Sequence, residues 1–211
     1  MLKKLLCLGL LLIGSLAHAD ASYPADPYAL INQAAQKTFA RLNNDQGKVN
    51  SEPGYIRQII REELMPYVDN RFAAFKVIGS NIKNTTPEQR DRFTNAFTDY
   101  IVATYADALA KYNKQKIQVE VAKPLPDDNI VSVNVAVLDP GKPDINVIFK
   151  LRKNTKTGQW KAFDMVAEGI SLLSSKQSEL GGLIRDKGID AVSQMLEEHN
   201  SKPASLPGKK A

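Results

Sequence analysis

Residues 131–152 read VSVNVAVLDPGKPDINVIFKLR. Val131, Val133, Val135 and Val137 alternate with Ser132, Asn134 and Ala136. After the connection Asp139-Pro140-Gly141-Lys142-Pro143, Ile145, Val147, Phe149 and Leu151 alternate with Asn146, Ile148, Lys150 and Arg152. A period of two puts successive side chains on opposite faces of a strand, so each run has one apolar face. The Pro-Gly-rich connection is short enough for an antiparallel hairpin. The same alternation begins earlier, at Ile117, Val119 and Val121, and a fourth strand is expected from Trp160 to Val166 after the turn at 154–158. A four-stranded antiparallel sheet with one apolar side needs a cover.

Helical spacing on both sides of the strands supplies that cover. Residues 26–43 align Tyr28, Ile31, Ala35, Phe39 and Leu42. Residues 55–68 align Tyr55, Ile59, Ile60, Leu64 and Tyr67, and Pro66 is expected to end or kink that helix. The stretch 70–79 (NRFAAFKVIG) reads as a short helix stopped by Gly79. Thr86-Pro87-Glu88-Gln89 has the pattern of a capping box with Pro in the first turn. It opens a stripe of Phe93, Phe97, Tyr100, Ile101, Tyr105, Leu109 and Tyr112. A last helix is expected over 178–198. The fold class is α+β: a curved four-stranded antiparallel sheet backed by helices.

The first 19 residues, MLKKLLCLGLLLIGSLAHA, carry Lys3 and Lys4, an apolar run from Leu5 to Leu16, and the small-x-small triplet Ala17-His18-Ala19. This is the pattern of a cleaved secretory signal peptide. The run falls short of the roughly 20 residues of a membrane-spanning helix. Removing the 19 residues from 211 leaves 192, expected as one domain over 20–199 with a disordered tail over 200–211. The formal charge drops from +5 to +3 when Lys3 and Lys4 leave, and no basic block follows, so nucleic acid is not an expected partner. Cys7 and His18 also leave. What remains is His199, beside the tail, so the zinc sites and the Cys–His or Ser–His nucleophiles are excluded and no metal or cofactor is expected.

Trp160 to Leu173, WKAFDMVAEGISLL, resembles the phospholipid-binding proteins of the Mla system, the MlaC family, also known as toluene-tolerance auxiliary proteins. Further stretches follow in that family's order: Pro27-Tyr28 with AAQKTFARL (Ala34–Leu42), LMPYV (Leu64–Val68), Ile78-Gly79, TPEQRDRF (Thr86–Phe93) and TYADAL (Thr104–Leu109). Lys176-Gln177 departs from the aromatic-Arg pair of many members, so no role of that Arg transfers. The resemblance implies a soluble periplasmic carrier of glycerophospholipid, and a monomer is expected because nothing in the sequence argues for an obligate oligomer. It would shuttle between the MlaA–porin complex of the outer membrane and the MlaFEDB ABC transporter of the inner membrane, maintaining outer-membrane lipid asymmetry. It also implies a cone resembling nuclear transport factor 2, in which sheet and helices enclose an apolar pocket for the acyl tails with the headgroup at the mouth.

Keeping a 16-carbon chain out of water is worth about 12 kcal/mol at roughly 0.8 kcal/mol per methylene. The task needs an apolar lining and no catalytic group. The candidate lining is Val133, Val135 and Val137; Val147, Phe149 and Leu151; Phe163 and Met165; Ile170, Leu172 and Leu173; and Tyr105 from the long helix. The same residues would equally fill a solid core. Asp164, between apolar neighbours, reads as a carboxylate capping backbone amides or paired with a Lys or Arg. Its competing reading is the general base of a cone-fold enzyme with a partner Tyr. Glu168-Gly169 reads as a turn whose carboxylate either helps to fix it or faces a partner, and adjacent acids such as Glu62-Glu63 read as divergent, solvated surface. A chaperone for lipoproteins or outer-membrane proteins is the remaining alternative.

Overall fold

The computed structural model describes residues 23–111, 115–139 and 141–204. The expected signal peptide, Tyr112 and the last residues of the expected tail lie outside them. Helix α1 (Pro27–Asn44) starts where the Asp26 carboxylate accepts the Ala29 N–H at 2.8 Å, with Pro27 preset for the first turn. After the short α2 (Gln46–Ser51), α3 (Tyr55–Ile59) runs without a break into a π-helical turn, Ile60–Leu64, and then a 3₁₀ turn, Met65–Tyr67. The stripe expected over 55–68 is therefore one rod whose hydrogen-bonding pattern changes twice. Pro66 is the second residue of the closing 3₁₀ turn, a first-turn position where a residue without an N–H is tolerated.

Helix α4 (Asn70–Ile78) is capped by Asp69 and ends at Gly79, whose φ of 58° favours a residue without Cβ. A 3₁₀ stretch, Gly79–Asn84, leads to α5 (Pro87–Leu109). There the expected capping box is complete: the Thr86 hydroxyl accepts the Gln89 N–H at 3.3 Å, and the Gln89 side chain accepts the Thr86 N–H at 2.9 Å.

The sheet has five strands rather than four: β1 (Lys116–Val119), β2 (Ile130–Leu138), β3 (Ile145–Lys153), β4 (Trp160–Ala167) and β5 (Ile170–Ser171). They lie in chain order, all antiparallel. The extra strand exists because Glu168 and Gly169 both have positive φ, 48° and 79°, as a tight hairpin turn of the primed type requires. In β4 the register shifts: Lys150 pairs with Asp164 but Leu151 with Ala162, leaving Phe163 as the extra residue of a bulge. The single helix expected over 178–198 is two, α6 (Leu172–Lys187) and α7 (Ile189–Asn200), divided by Gly188 at φ 84°. Helix α6 starts earlier than expected because the Ser171 hydroxyl accepts the Ser174 N–H at 3.0 Å.

Three apolar clusters hold these elements. The first packs Tyr28, Leu30 and Ile31 of α1 on Val131, Val133, Val135, Leu151, Trp160 and Ala162 of the sheet. The second joins Leu42 of α1 to Ile56, Ile59 and Ile60 and to Val102 and Ala106 of α5. The third lies among α4, α5, α6 and α7. Leu64 packs against both the first and the second. Past α7 the chain stays attached. The Asn200 amide donates to the Ala96 carbonyl at 2.9 Å, and Arg57 donates to the carbonyls of Asn200 and Lys202 at 3.3 and 3.4 Å. The first residues of the expected tail are thus held against α3 and α5.

Candidate functional site

The strand register brings Val133, Phe149 and Met165 side by side. It does the same for Val135, Val147 and Ala167, and for Val137 and Ile145. Directly paired residues point to the same face, so Val133, Val135, Val137, Val147, Phe149, Leu151 and Met165 share one apolar surface. That surface is covered unevenly. Val133 and Leu151 are 0% exposed beneath α1, and Val135 is also buried. Val137, Val147, Phe149 and Met165 are half-buried. Beyond them on the same face, Ile145 is 47% and Ile170 61% exposed. The inner face is sealed at its Leu151–Trp160 end and open at its Ile145–Ile170 end.

The other candidates separate. Phe163, turned to the opposite face by the bulge, meets Phe72 of α4 edge-on with ring centroids 5.2 Å apart. Leu172 and Leu173 open α6, and Leu173 packs against the cluster among the helices. Tyr105 lies on α5 in the second cluster, beside the half-buried Phe39, Leu64, Ile101 and Leu109. Burial pushes its hydroxyl up to about 12, with the Asp164 charge adding to the effect. Sequence reasoning left out Ile145, though its place in the alternation marks it. It also left out Leu64, whose position between two clusters has no local signal.

Asp164 is almost fully buried and its acceptor capacity is committed. One oxygen accepts the Leu173 N–H at 3.0 Å, the other accepts the Ser171 hydroxyl at 2.8 Å and lies 3.4 Å from Lys150 Nζ. It ties β4 to the start of α6, which is the capping-and-pairing reading. Glu168 fixes its own turn: its carboxylate accepts the Asn146 N–H at 2.9 Å while its N–H donates to the Asn146 carbonyl at 3.2 Å.

Glu62 and Glu63 differ from the expectation of divergent surface acids. Both reach Arg41 of α1, Glu63 at 2.9 Å, because the π-helical turn presents both to one guanidinium. Gln58 and Arg41 together hold the Glu62 carboxyl below its usual range. Lys176, where the sequence departs from the family pattern, donates to the Tyr100 hydroxyl at 2.8 Å and to Glu179 at 2.7 Å.

Among the described residues no group of three or more His, Cys, Asp or Glu side chains converges as metal ligands would. A groove of about 400 Å³ runs past the start of α5 and the α6–α7 corner, but its walls are mostly polar, Asn81, Gln89, Arg185 and Asp190 among them. None of the candidate residues lines it.

Comparisons with known proteins bear on the family and the fold. The family described as MlaC protein matches residues 32–198. The intermembrane phospholipid transport system binding protein MlaC of Haemophilus influenzae is 39% identical over 178 residues, spanning 84% of this chain and 83% of that relative. Toluene tolerance protein ttg2D of Pseudomonas putida is 25% identical over 167 residues, 79% of this chain and 73% of its own. A phospholipid-binding protein from Ralstonia solanacearum, solved in complex with a phospholipid, has the same fold. Its TM-score is 0.74 at 22% identity, covering 83% of this chain and 97% of that one. With a family match across most of its length and a relative 39% identical over 84% of it, the chain belongs to the MlaC family.

Proposed function

We propose that this protein is a periplasmic carrier of glycerophospholipid. It takes acyl chains along the inner face of its sheet and shuttles the lipid between the MlaA–porin complex and the MlaFEDB ABC transporter, preserving outer-membrane lipid asymmetry. The observation that carries this reading is the uneven cover of the apolar face, sealed at Leu151 and Trp160 and open at Ile145 and Ile170. An acyl chain leaving a bilayer loses nothing by exchanging one dry environment for another, and an apolar surface with an open end offers that exchange. The two relatives above support it by name, one as a phospholipid transport binding protein and one as a toluene tolerance protein. No described helix is long and apolar enough to cross a membrane.

The enzyme alternative would need Asp164 as a free general base, and its oxygens are occupied by Leu173, Ser171 and Lys150. Native mass spectrometry of the protein purified from a bacterial periplasm, with extraction and identification of the bound lipid, tests the carrier reading. A stoichiometric adduct of intact phospholipid is expected. Lysolipid with free fatty acid would turn the reading toward an enzyme, and preference for acylated peptides over diacyl lipid toward a chaperone.

A further inference from the structure

The Arg41 guanidinium gathers three carboxylates. It lies 3.5 Å from Asp45, the residue that caps its own helix, and 2.9 Å from Glu63, and it donates to Glu62. Around it the Tyr55 hydroxyl donates to Asp45 at 2.7 Å, the Tyr55 ring centroid lies 5.8 Å from the guanidinium carbon, and Gln58 donates to Glu62 at 2.9 Å. This hub joins α1, which covers the sheet, to the π-helical turn Ile60–Leu64. A π turn is a rare helical form, kept in place by its surroundings and often found where function requires a departure from the α-helix. Leu64, its last residue, packs against both the α1–sheet cluster and the α1–α3–α5 cluster. Moving this turn away from α1 therefore opens the seam between the two clusters, the second of which Tyr105 packs against.

We propose that the Arg41–Glu62–Glu63 clasp is a latch on the lipid-binding interior: formed, it holds the seam shut, and released, it lets the π-helical turn swing from α1 and acyl chains pass. The proposal rests on the carrier reading. Its chemistry suits repeated use. The three side chains are partly exposed, at 22% for Arg41, 47% for Glu62 and 24% for Glu63, so water takes up the ions on release and the clasp re-forms without a large barrier.

The test follows transfer of a fluorescent phosphatidylethanolamine between the full chain and phosphatidylethanolamine/phosphatidylglycerol vesicles by stopped-flow. Arg41→Gln, and separately the double variant Glu62→Gln/Glu63→Gln, are expected to exchange lipid on the order of five- to tenfold faster than the parent. The comparison variant is Arg92→Gln, which breaks a pair between α5 and α7 (Arg92 to Glu197, 2.8 Å) that is 44% exposed on both sides and remote from the seam. It is expected to lower stability to a similar degree and leave exchange unchanged. Unchanged exchange in both clasp variants, or equal acceleration by Arg92→Gln, overturns the latch. A parent protein that takes up no phospholipid overturns the carrier reading, and the latch with it.

Discussion

Asp164 and Tyr105 are the kinds of group that a search for catalytic residues would choose, a buried carboxylate and a phenol that burial holds neutral. The hydrogen bonds give the carboxylate another task, tying β4 to the start of α6. Asp164→Asn is therefore expected to lose about 1–3 kcal/mol in urea unfolding, because a buried acceptor and its ion pair are disturbed, while the bound phospholipid persists in native mass spectra. Tyr105 carries a pH signature. Its hydroxyl is held neutral in the fold up to about 12 against an ordinary 10, so the folded state resists an ionisation that the unfolded chain undergoes. Its contribution is whole below pH 10 and declines as pH rises from 10 through 12. Tyr23, also raised to about 12, acts in the same direction. Unfolding midpoints measured from pH 9 to 12 are expected to fall less steeply for Tyr105→Phe than for the parent. The capping reading of Asp164 was open to sequence because a carboxylate between apolar strand residues needs partners. The outward turn of Phe163 was not, because a bulge arises from the neighbouring strand's register.

Among elements, the alternation over 131–152 and the box at Thr86-Gln89 translate directly into β2, β3 and α5. Both signals are local: a two-residue period and side chains that bond backbone three residues away. The π-helical turn and the division at Gly188 carry no comparable period. The first is held by Arg41 from another helix, and the second needs one residue at positive φ inside a stretch that otherwise reads as helical. Helix α6 also depends on a close approach. A Cβ at Gly181 would stand 3.2 Å from the Val77 carbonyl oxygen of α4, a backbone atom inside a helix with little freedom to retreat. Gly181→Val is expected to destabilise the protein by about 1–3 kcal/mol, read as a lower urea midpoint, because the two helices must separate to admit the side chain.

For the whole molecule, the uneven cover of the sheet predicts opposite outcomes for one chemical change at two places. Leu151→Asp puts a charge at the sealed end, beside Trp160 and beneath α1, where desolvating an unpaired carboxylate costs several kcal/mol. It is expected to prevent folding, seen as loss of the near-ultraviolet circular dichroism of the protein's one Trp. Val147→Asp puts the same charge at the half-buried open end, where water still reaches it. It is expected to leave a cooperative fold that recovers no phospholipid from the periplasm. A Val147→Asp variant that folds and still recovers phospholipid would mean that the open end is ordinary surface, and one that fails to fold as Leu151→Asp does would mean that it is closed core.

Sequence by itself determined the α+β class, the strand alternation, the helix caps and the family, because periodicity and capping are written among near neighbours and family motifs lie in order along the chain. It named most of the inner-face residues for the same reason. Tertiary structure alone decided which of them are sealed and which stand open, that Phe163 turns away, that β5 closes the edge of the sheet, and that Glu62 and Glu63 converge on Arg41. Each of those outcomes depends on what a distant element brings to the residue: burial is a property of the cover, and an ion pair belongs to both its partners.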